Sequence, residues 1–263
     1  MKSQLNVSLI QADLAWHDAV ENRRRLAQLT TPLAGKTDLI VLPEMFSTGF
    51  TMEPEKVAEP PDGPTTQWMR EQAKSLNAVI TGSVVTEADG RYWNRLIWMR
   101  PDGSFEYYDK RHLFRMAGEH EHYAEGTRKL IVELAGWKIC PLVCYDLRFP
   151  VWSRNALGTE RAYDLLIYVA NWPARRRYAW QTLLRARAIE NVSYCIGLNR
   201  VGADGKDIHY TGDSVVLDFM GQPLVQDLEG EGARTVTLDY DALVAFRARF
   251  PAHLDADDFE LRL

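Results

Sequence analysis

The stretch that decides the fold is Asp38-Leu39-Ile40-Val41-Leu42-Pro43-Glu44. An almost unbroken apolar run of this length is typical of a β-strand that is covered on both faces. Similar runs follow at residues 137–143 and 164–169. These strand signals alternate with helix signals along the chain, which predicts an α/β fold built in layers.

Hydrophobic periodicity predicts the elements on both sides of that strand. Residues 5–10 alternate with period two and open the sheet, while Asp18 is in position to cap a helix. Met69, Ala73 and Leu76 stand at helical spacing on the next helix. The segment 53–64 is rich in proline and acidic residues and predicts a long surface loop. Further strands are expected at 78–85, 92–99, 104–109, 192–198, 214–219, 223–228 and 234–238, and further helices around 180–188 and 243–250.

Length and composition indicate an ordinary globular chain. It has 263 residues, of which 46% are hydrophobic and 25% charged, with a formal net charge of −5. No internal repeat or linker divides the sequence, so we expect one domain over residues 1–263. The tail at 251–263 is acidic with spaced apolar residues, and it is a candidate for contact with a partner subunit.

Several classes of protein are excluded. A weakly acidic chain lacks the cationic footprint of a nucleic-acid binder. No apolar run approaches the ~20 residues that cross a bilayer, and the N-terminus has no signal-peptide pattern. The three cysteines form no C-x-x-C pair, and Glu119-His120-Glu121 lacks metal-ligand spacing, so we expect neither a disulfide scaffold nor a metal site. A cytoplasmic protein that binds neither membrane nor nucleic acid is predicted.

Polar residues follow the predicted strands at their carboxyl ends, where open α/β sheets bind ligands. Glu44 follows the first apolar run, Cys144 the second, and Asn171 and Trp172 the third. The predicted hairpin at 92–109 ends just before Lys110. A carboxylate, a thiol and an ammonium are therefore expected to converge on one rim.

These three groups together could perform nucleophilic catalysis. A thiolate at Cys144 would be favoured by the free N–H groups of a strand-to-helix turn. Such a nucleophile needs a base and a cation, which Glu44 and Lys110 would supply. Other readings stay open from the residues alone: Cys144 as a core residue, Glu44 as a structural ion, Lys110 as a solvated surface lysine, or a cysteine–histidine dyad with His112.

The motifs resemble a known family. The segments 42–46 (LPEMF), 108–114 (YDKRHLF) and 143–150 (VCYDLRFP) are similar to the three signature segments of the nitrilase superfamily of carbon–nitrogen hydrolases. The resemblance runs from about Val7 to Leu238, and the segment 144–152 is most similar to bacterial omega-amidases. It implies a four-layer α-β-β-α sandwich that forms a homodimer or higher homo-oligomer and needs no metal or organic cofactor.

The resemblance also implies roles for individual residues. Glu44 would be the general base, Lys110 the cation beside the oxyanion and Cys144 the nucleophile. Glu119 falls where the family often has a second acid, and the backbone N–H of Tyr145 would bind the oxyanion. The implied reaction hydrolyses the terminal amide of 2-oxoglutaramate or 2-oxosuccinamate with water, through a cysteine thioester.

The substrate pocket is less defined by the sequence. A dicarboxylate monoamide needs a cation for its free carboxylate, and Arg148 and Arg175 to Arg177 are candidates, with Arg148 alternatively a partner of Asp146. Phe46, Tyr145 and Trp172 are expected to wall the pocket. Two alternatives remain: another hydrolase of the superfamily (deaminated-glutathione amidase, N-carbamoyl hydrolase or nitrilase), or a non-catalytic binding protein on the same fold.

Overall fold

Two six-stranded β-sheets form the framework of the protein, in a computed structural model that describes residues 2–160, 162–226, 228–257 and 259–261. Strands are numbered in chain order. The first sheet contains β1 (Gln4–Gln11), β2 (Leu39–Val41), β3 (Val79–Ala88), β4 (Arg91–Met99), β5 (Phe105–Asp109) and β14 (Gly232–Asp239). The second contains β6 (Val132–Leu134), β7 (Trp137–Val143), β8 (Leu165–Ala170), β9 (Tyr194–Asn199), β12 (Val215–Leu217) and β13 (Pro223–Val225). A separate hairpin consists of β10 (Val201–Ala203) and β11 (His209–Thr211).

The two sheets share one arrangement of strands. The first has the order β14-β1-β2-β3-β4-β5 and the second β13-β12-β9-β8-β7-β6. In each, three central strands run parallel and the outer strands pair antiparallel. Glu44, Cys144 and Asn171 follow β2, β7 and β8, which are all parallel strands, so these residues leave the sheets at carboxyl ends, whereas Lys110 follows the antiparallel edge strand β5.

Six α-helices lie in the described ranges, and those that begin at residues 19, 64 and 177 pack against the sheets. The six are α1 (Ala19–Thr30), α2 (Pro64–Leu76), α3 (Glu119–His122), α4 (Pro150–Ser153), α5 (Arg177–Asn191) and α6 (Tyr240–Arg249). Asp18 caps α1 as predicted, because its carboxylate accepts a hydrogen bond from the backbone N–H of Glu21 at 2.9 Å. Short 3-10 helices occupy 31–33, 54–56, 115–117, 144–148, 174–176 and 252–255.

The alternation along β1 separates two layers of core. Leu5, Val7 and Leu9 pack in one cluster with the strands of the second sheet, so this part of the cluster lies between the sheets, and the cluster continues to α5. Ile10 belongs to another cluster, with Leu26 of α1 and with α2. The predicted four-layer α-β-β-α sandwich is confirmed.

The helix α5 lies very close to the second sheet. A Cβ on Gly197 of β9 would stand 2.3 Å from the Leu184 side chain and 2.8 Å from that of Trp180. Glycine at this position therefore allows the close contact between helix and sheet.

A few boundaries differ from the sequence prediction. The loop at 53–64 contains a 3-10 helix, the last helix ends at Arg249 rather than 250, and β13 ends at Val225. In the tail, Leu261 packs against the cluster that contains Leu5, Val7 and Leu9, whereas residues 258, 262 and 263 lie outside the described part. Contact of the tail with a partner stays a prediction. No helix in the described ranges has the length and apolar character of a membrane span.

Candidate active site

Glu44 lies just beyond the end of β2, fully buried. Its Oε2 accepts a hydrogen bond from the backbone N–H of Asn171 at 2.8 Å, and its Oε1 accepts one from Nδ2 of Asn94 at 2.8 Å. The next residue, Met45, has a left-handed φ of 44°, and its N–H is held by the Ser83 hydroxyl at 2.8 Å. The carboxylate is therefore held from both sheets, by Asn94 of β4 and by Asn171, which follows β8.

Lys110 follows the edge strand β5 and is also fully buried. Its backbone N–H donates to the Asn94 carbonyl at 3.0 Å, and its carbonyl accepts from the N–H of Gly126 at 2.9 Å. Its Nζ lies 2.9 Å from Oε1 of Glu44 and 2.9 Å from each carboxylate oxygen of Glu119. One ammonium therefore neutralises part of the charge of two buried carboxylates.

Glu119 begins the short helix α3 and is buried beside Lys110. Its Oε2 also accepts a hydrogen bond from the backbone N–H of Phe114 at 2.5 Å. In these contacts the Lys110 ammonium and the Phe114 N–H are the donors, so the Glu119 oxygens act as acceptors. The contact with Phe114 ties this carboxylate to the segment that leads from Lys110 to α3.

Cys144 sits at the sharp turn between β7 and the 3-10 helix of residues 144–148. Its φ of 44° is left-handed, an uncommon conformation for a residue with a Cβ, and its side chain reaches a surface cavity. Such strain is typical of functional sites. The N–H of Tyr145, in the first turn of the helix, is among those that a helix leaves free for a ligand.

Asp146 anchors this turn to the segment that carries Lys110. Its carboxylate accepts hydrogen bonds from the Tyr108 hydroxyl at 2.7 Å, the Val143 N–H at 3.1 Å and the backbone N–H of His112 at 3.0 Å, and it contacts Nδ1 of His112 at 2.8 Å. The His112 ring also stacks on Phe149, with ring centroids 3.7 Å apart. His112 is thus engaged with Asp146, and the charges that act most strongly on Cys144 are those of Glu44, Lys110 and Glu119.

The electrostatics correct one expectation about the thiol. Burial, and then the Glu44 carboxylate, raise the pKa of Cys144 well above its usual value, although the positive charge of Lys110 opposes them. The sequence suggested that the N–H groups of the turn would favour the thiolate. In the site without substrate, the raised pKa favours the neutral thiol instead. Deprotonation needs a base, and the Glu44 carboxylate is the charge that acts most strongly on the thiol.

The lysine and the second glutamate influence each other. Burial lowers the pKa of Lys110, but the Glu119 and Glu44 carboxylates outweigh burial and hold that pKa above its usual value. Burial and the charge of Glu44 raise the pKa of Glu119, against the effect of Lys110. Lys110 therefore stays charged.

The cavity in front of Cys144 has a volume of about 250 Å³. Tyr145, Arg148, Trp172 and Arg175 line it, as the sequence predicted for a pocket. Phe46 does not: it is fully buried in the cluster beneath α2, 5.9 Å from the ring of Trp68. Aromatic and aliphatic walls come instead from Phe50, Met52, Phe114, Met116, Ile208 and Tyr210.

Three arginines face this cavity: Arg148, Arg175 and Arg176. The guanidinium of Arg148 lies 5.1 Å from the centroid of the Trp172 ring, so its neighbour is this ring and not Asp146. Burial, and then the charges of Arg175 and Arg148, lower the pKa of Arg176. Arg177 points elsewhere and pairs with Asp213 at 2.6 Å. Positive charges concentrated in this way favour an anionic ligand.

Sequence reasoning missed Asn94, which donates from Nδ2 to Glu44 at 2.8 Å and to Glu119 at 3.3 Å. The only signal was a polar residue inside a predicted strand. It also assigned no role of its own to Asp146. In the described ranges no set of three His, Cys, Asp or Glu side chains is arranged to hold a metal ion.

Comparison with known proteins identifies the family. Residues 6–248 match the carbon–nitrogen hydrolase family, and the chain belongs to it. It is 48% identical to the omega-amidase YafV of Yersinia enterocolitica over 98% of this chain and 99% of the relative. It is 29% identical to a 2-oxoglutaramate amidase of Bacillus subtilis over 95% of this chain and 96% of the relative. The crystal structure of a CN-hydrolase superfamily protein of Xanthomonas campestris, with an arsenic adduct in its active site, superposes with a TM-score of 0.97 at 52% identity, covering 99% of this chain and 100% of the other.

Proposed function

We propose that this protein is an omega-amidase that hydrolyses the terminal amide of small 2-oxo dicarboxylate monoamides, with 2-oxoglutaramate and 2-oxosuccinamate as the expected substrates. The observation that carries the proposal is the contact of Lys110 with both Glu44 and Glu119, the three groups whose charges act most strongly on Cys144. The activities named for the similar omega-amidase and 2-oxoglutaramate amidase support the choice of substrate.

In the first half of the reaction Cys144 becomes acylated. Glu44 takes the thiol proton while the sulfur attacks the amide carbon, which forms a C–S bond and an oxyanion. The Tyr145 N–H and the Lys110 ammonium stabilise this oxyanion, each worth about 3 kcal/mol if comparable with a typical oxyanion donor. The C–N bond then breaks, and the leaving nitrogen takes the proton from Glu44 to depart as ammonia.

In the second half water releases the acid. Glu44 removes a proton from a water molecule, whose oxygen attacks the thioester carbon. The C–S bond breaks, and the proton held by Glu44 returns to the sulfur of Cys144. Glu119 keeps Lys110 charged and fixed: because both of its oxygens lie 2.9 Å from Nζ, one N–H can turn toward the oxyanion while a contact with Glu119 is kept.

The cavity fits a small anion. Its volume of about 250 Å³ is below the range of about 300–1,000 Å³ for sites that bind drug-sized ligands. Of the arginines on its wall, Arg175 and Arg176 are our candidates for the free carboxylate, because they belong to the segment that follows β8 at the cavity rim. A guanidinium binds a carboxylate in a bidentate manner.

The experiment that tests this function measures ammonia release over a panel of substrates. The panel contains 2-oxoglutaramate, 2-oxosuccinamate, deaminated glutathione, an N-carbamoyl amino acid and an aliphatic nitrile. We expect the highest kcat/KM for the first two. A preference for any of the other three would assign the protein to another activity of the family, and no turnover at all would favour a non-catalytic binding protein.

We also propose that residues 1–263 act as one domain in a cytoplasmic homodimer or higher homo-oligomer. Tyr178 and Ile189 lie three turns apart on α5 and are exposed, as are Val244 of α6 and Phe250 just beyond it. Because Tyr178 and Ile189 lie on the same side of α5, this side of the helix is our candidate for subunit contact. All three cysteines are free thiols, as expected in a reducing compartment. Sedimentation equilibrium tests the oligomer, and a monomer at micromolar concentration would contradict it.

A further inference from the structure

Asn171 has a buried acceptor that nothing in the described part of the chain satisfies. The residue follows β8, is 4% exposed and lies on the wall of the cavity that Cys144 reaches. Its Oδ1 has no hydrogen-bond partner there. Buried side-chain acceptors are usually paired, so an orphaned one beside a reactive thiol indicates a group that a ligand satisfies.

The orientation of this side-chain amide is fixed by Glu44. Nδ2 of Asn171 lies 2.6 Å from the backbone carbonyl oxygen of Glu44. A carbonyl oxygen can only accept, so the atom that faces it must be the NH₂ group. The backbone N–H of Asn171 donates to Oε2 of Glu44 at 2.8 Å. The backbone N–H and the side-chain NH₂ group of Asn171 thus both donate to Glu44. If the side-chain amide rotated to exchange its oxygen and nitrogen, the contact of 2.6 Å with the Glu44 carbonyl would be lost.

The position of the acceptor matches the needs of a primary amide. The carbon attacked by Cys144 carries an NH₂ group, which brings two donors into the same cavity. Glu44 must deliver a proton to that nitrogen, and Asn171 is bound to Glu44 at two points. The leaving nitrogen therefore has to lie beside Glu44, where Asn171 provides an acceptor for its N–H groups.

We propose that Oδ1 of Asn171 accepts a hydrogen bond from the carboxamide N–H of the substrate, which makes Asn171 a catalytic residue that selects primary amides. This inference rests on the proposed amidase function. The hydrogen bond turns the nitrogen lone pair toward Glu44, so that the proton moves to nitrogen as the C–N bond breaks. An ester with the same acyl group has no N–H at this position and gains nothing from Asn171.

The test compares an amide with its matched ester. 2-Oxoglutaramate and the 5-methyl ester of 2-oxoglutarate pass through the same thioester, so only the leaving group differs. We expect the Asn171→Ala variant to lower the ratio of kcat/KM for the amide to kcat/KM for the ester by about tenfold, the effect of one lost hydrogen bond.

Asn94 provides the matched control. Like Asn171, it is buried, donates from Nδ2 to Glu44 and has an Oδ1 without a partner in the described ranges. Unlike Asn171, it does not line the cavity. The Asn94→Ala variant should slow both substrates and leave their ratio unchanged. Equal losses for amide and ester in Asn171→Ala would overturn the inference, because Asn171 would then only position Glu44.

A crystal structure keeps the inference testable if Asn171→Ala does not fold. In Cys144→Ala soaked with 2-oxoglutaramate, the carboxamide nitrogen should lie about 2.9 Å from Oδ1 of Asn171. A water molecule at that position, with the carboxamide turned away, would refute the inference. Wild-type enzyme that hydrolyses neither amide nor ester would refute the proposed function itself, and the inference with it.

Discussion

Removing the charge of Lys110 should destabilise the fold as well as stop turnover. The Lys110→Met variant keeps most of the apolar side chain but leaves Glu44 and Glu119, both fully buried, without the ammonium that contacts them at 2.9 Å. Two carboxylates in one dry site repel each other, and each has lost a donor.

The size of the effect follows from the burial. Breaking a buried ion pair by removing one partner costs about 3–5 kcal/mol, and here one ammonium serves two carboxylates, so the upper end, about 5 kcal/mol, applies. At about 2 °C per kcal/mol for a chain of this length, Tm should fall by about 10 °C. Amide hydrolysis should fall at least 100-fold, from the loss of an oxyanion donor.

The deficit should depend on pH with a definite sign. Burial and the charge of Glu44 already raise the pKa of Glu119, and loss of Lys110 raises it further. A carboxylate whose pKa is higher in the folded state makes the folded state bind more protons, so stability falls as pH rises through that pKa. The difference in Tm from the wild type should therefore be larger at pH 8 than at pH 5.5.

The assay is thermal unfolding followed by circular dichroism, beside ammonia release. Lys56→Met is the control, since Lys56 also pairs with a glutamate, Glu53, but at the surface, and should change Tm very little. A Tm for Lys110→Met within about 2 °C of the wild type at pH 8, which is the shift for about 1 kcal/mol, would contradict this prediction.

Two further predictions concern the cavity. Arg176→Ala should lower kcat/KM for 2-oxoglutaramate by about 10- to 100-fold, mainly through KM, because a charged hydrogen bond to the substrate is lost. The control is Arg177→Ala, whose arginine lies outside the cavity and pairs with Asp213, and its kcat/KM should stay near that of the wild type. Equal effects of the two substitutions would contradict the assignment of Arg176 to the substrate carboxylate. Iodoacetamide should label Cys144 before Cys140 and Cys195, which are fully buried. Because the thiolate is the form that reacts and burial raises the pKa of Cys144, the rate of labelling should increase about tenfold per pH unit between pH 7 and 9. Peptide mass spectrometry measures this, and faster labelling of either core cysteine, or a rate independent of pH, would count against it.

The sequence predicted the parallel strands and the groups at their ends. Apolar runs before Glu44 and Cys144 identified buried strands, and the rule that ligands bind at carboxyl ends brought these side chains together without any coordinates. The structure agrees because β2 and β7 are central parallel strands of the two facing sheets.

What the sequence could not predict depends on packing between distant segments. Phe46 looked like a pocket wall, but the left-handed Met45 redirects the chain and returns Phe46 to the core. Asn94 lies on β4, two strands away from β2 in the sheet, and its side chain meets Glu44 across 50 residues of sequence. The raised pKa of Cys144 likewise arises from burial and from Glu44, which is distant in the sequence. The local pattern of a strand followed by a helix turn contains neither of these two effects.

The measurement that tests the central claim most directly is ammonia release by purified Cys144→Ala with 2-oxoglutaramate. We expect no release above the uncatalysed rate, while circular dichroism and Tm stay close to the wild type because the substitution removes a single atom beside the cavity. Release within tenfold of the wild-type rate would contradict attack by this sulfur and the reaction sequence built on it.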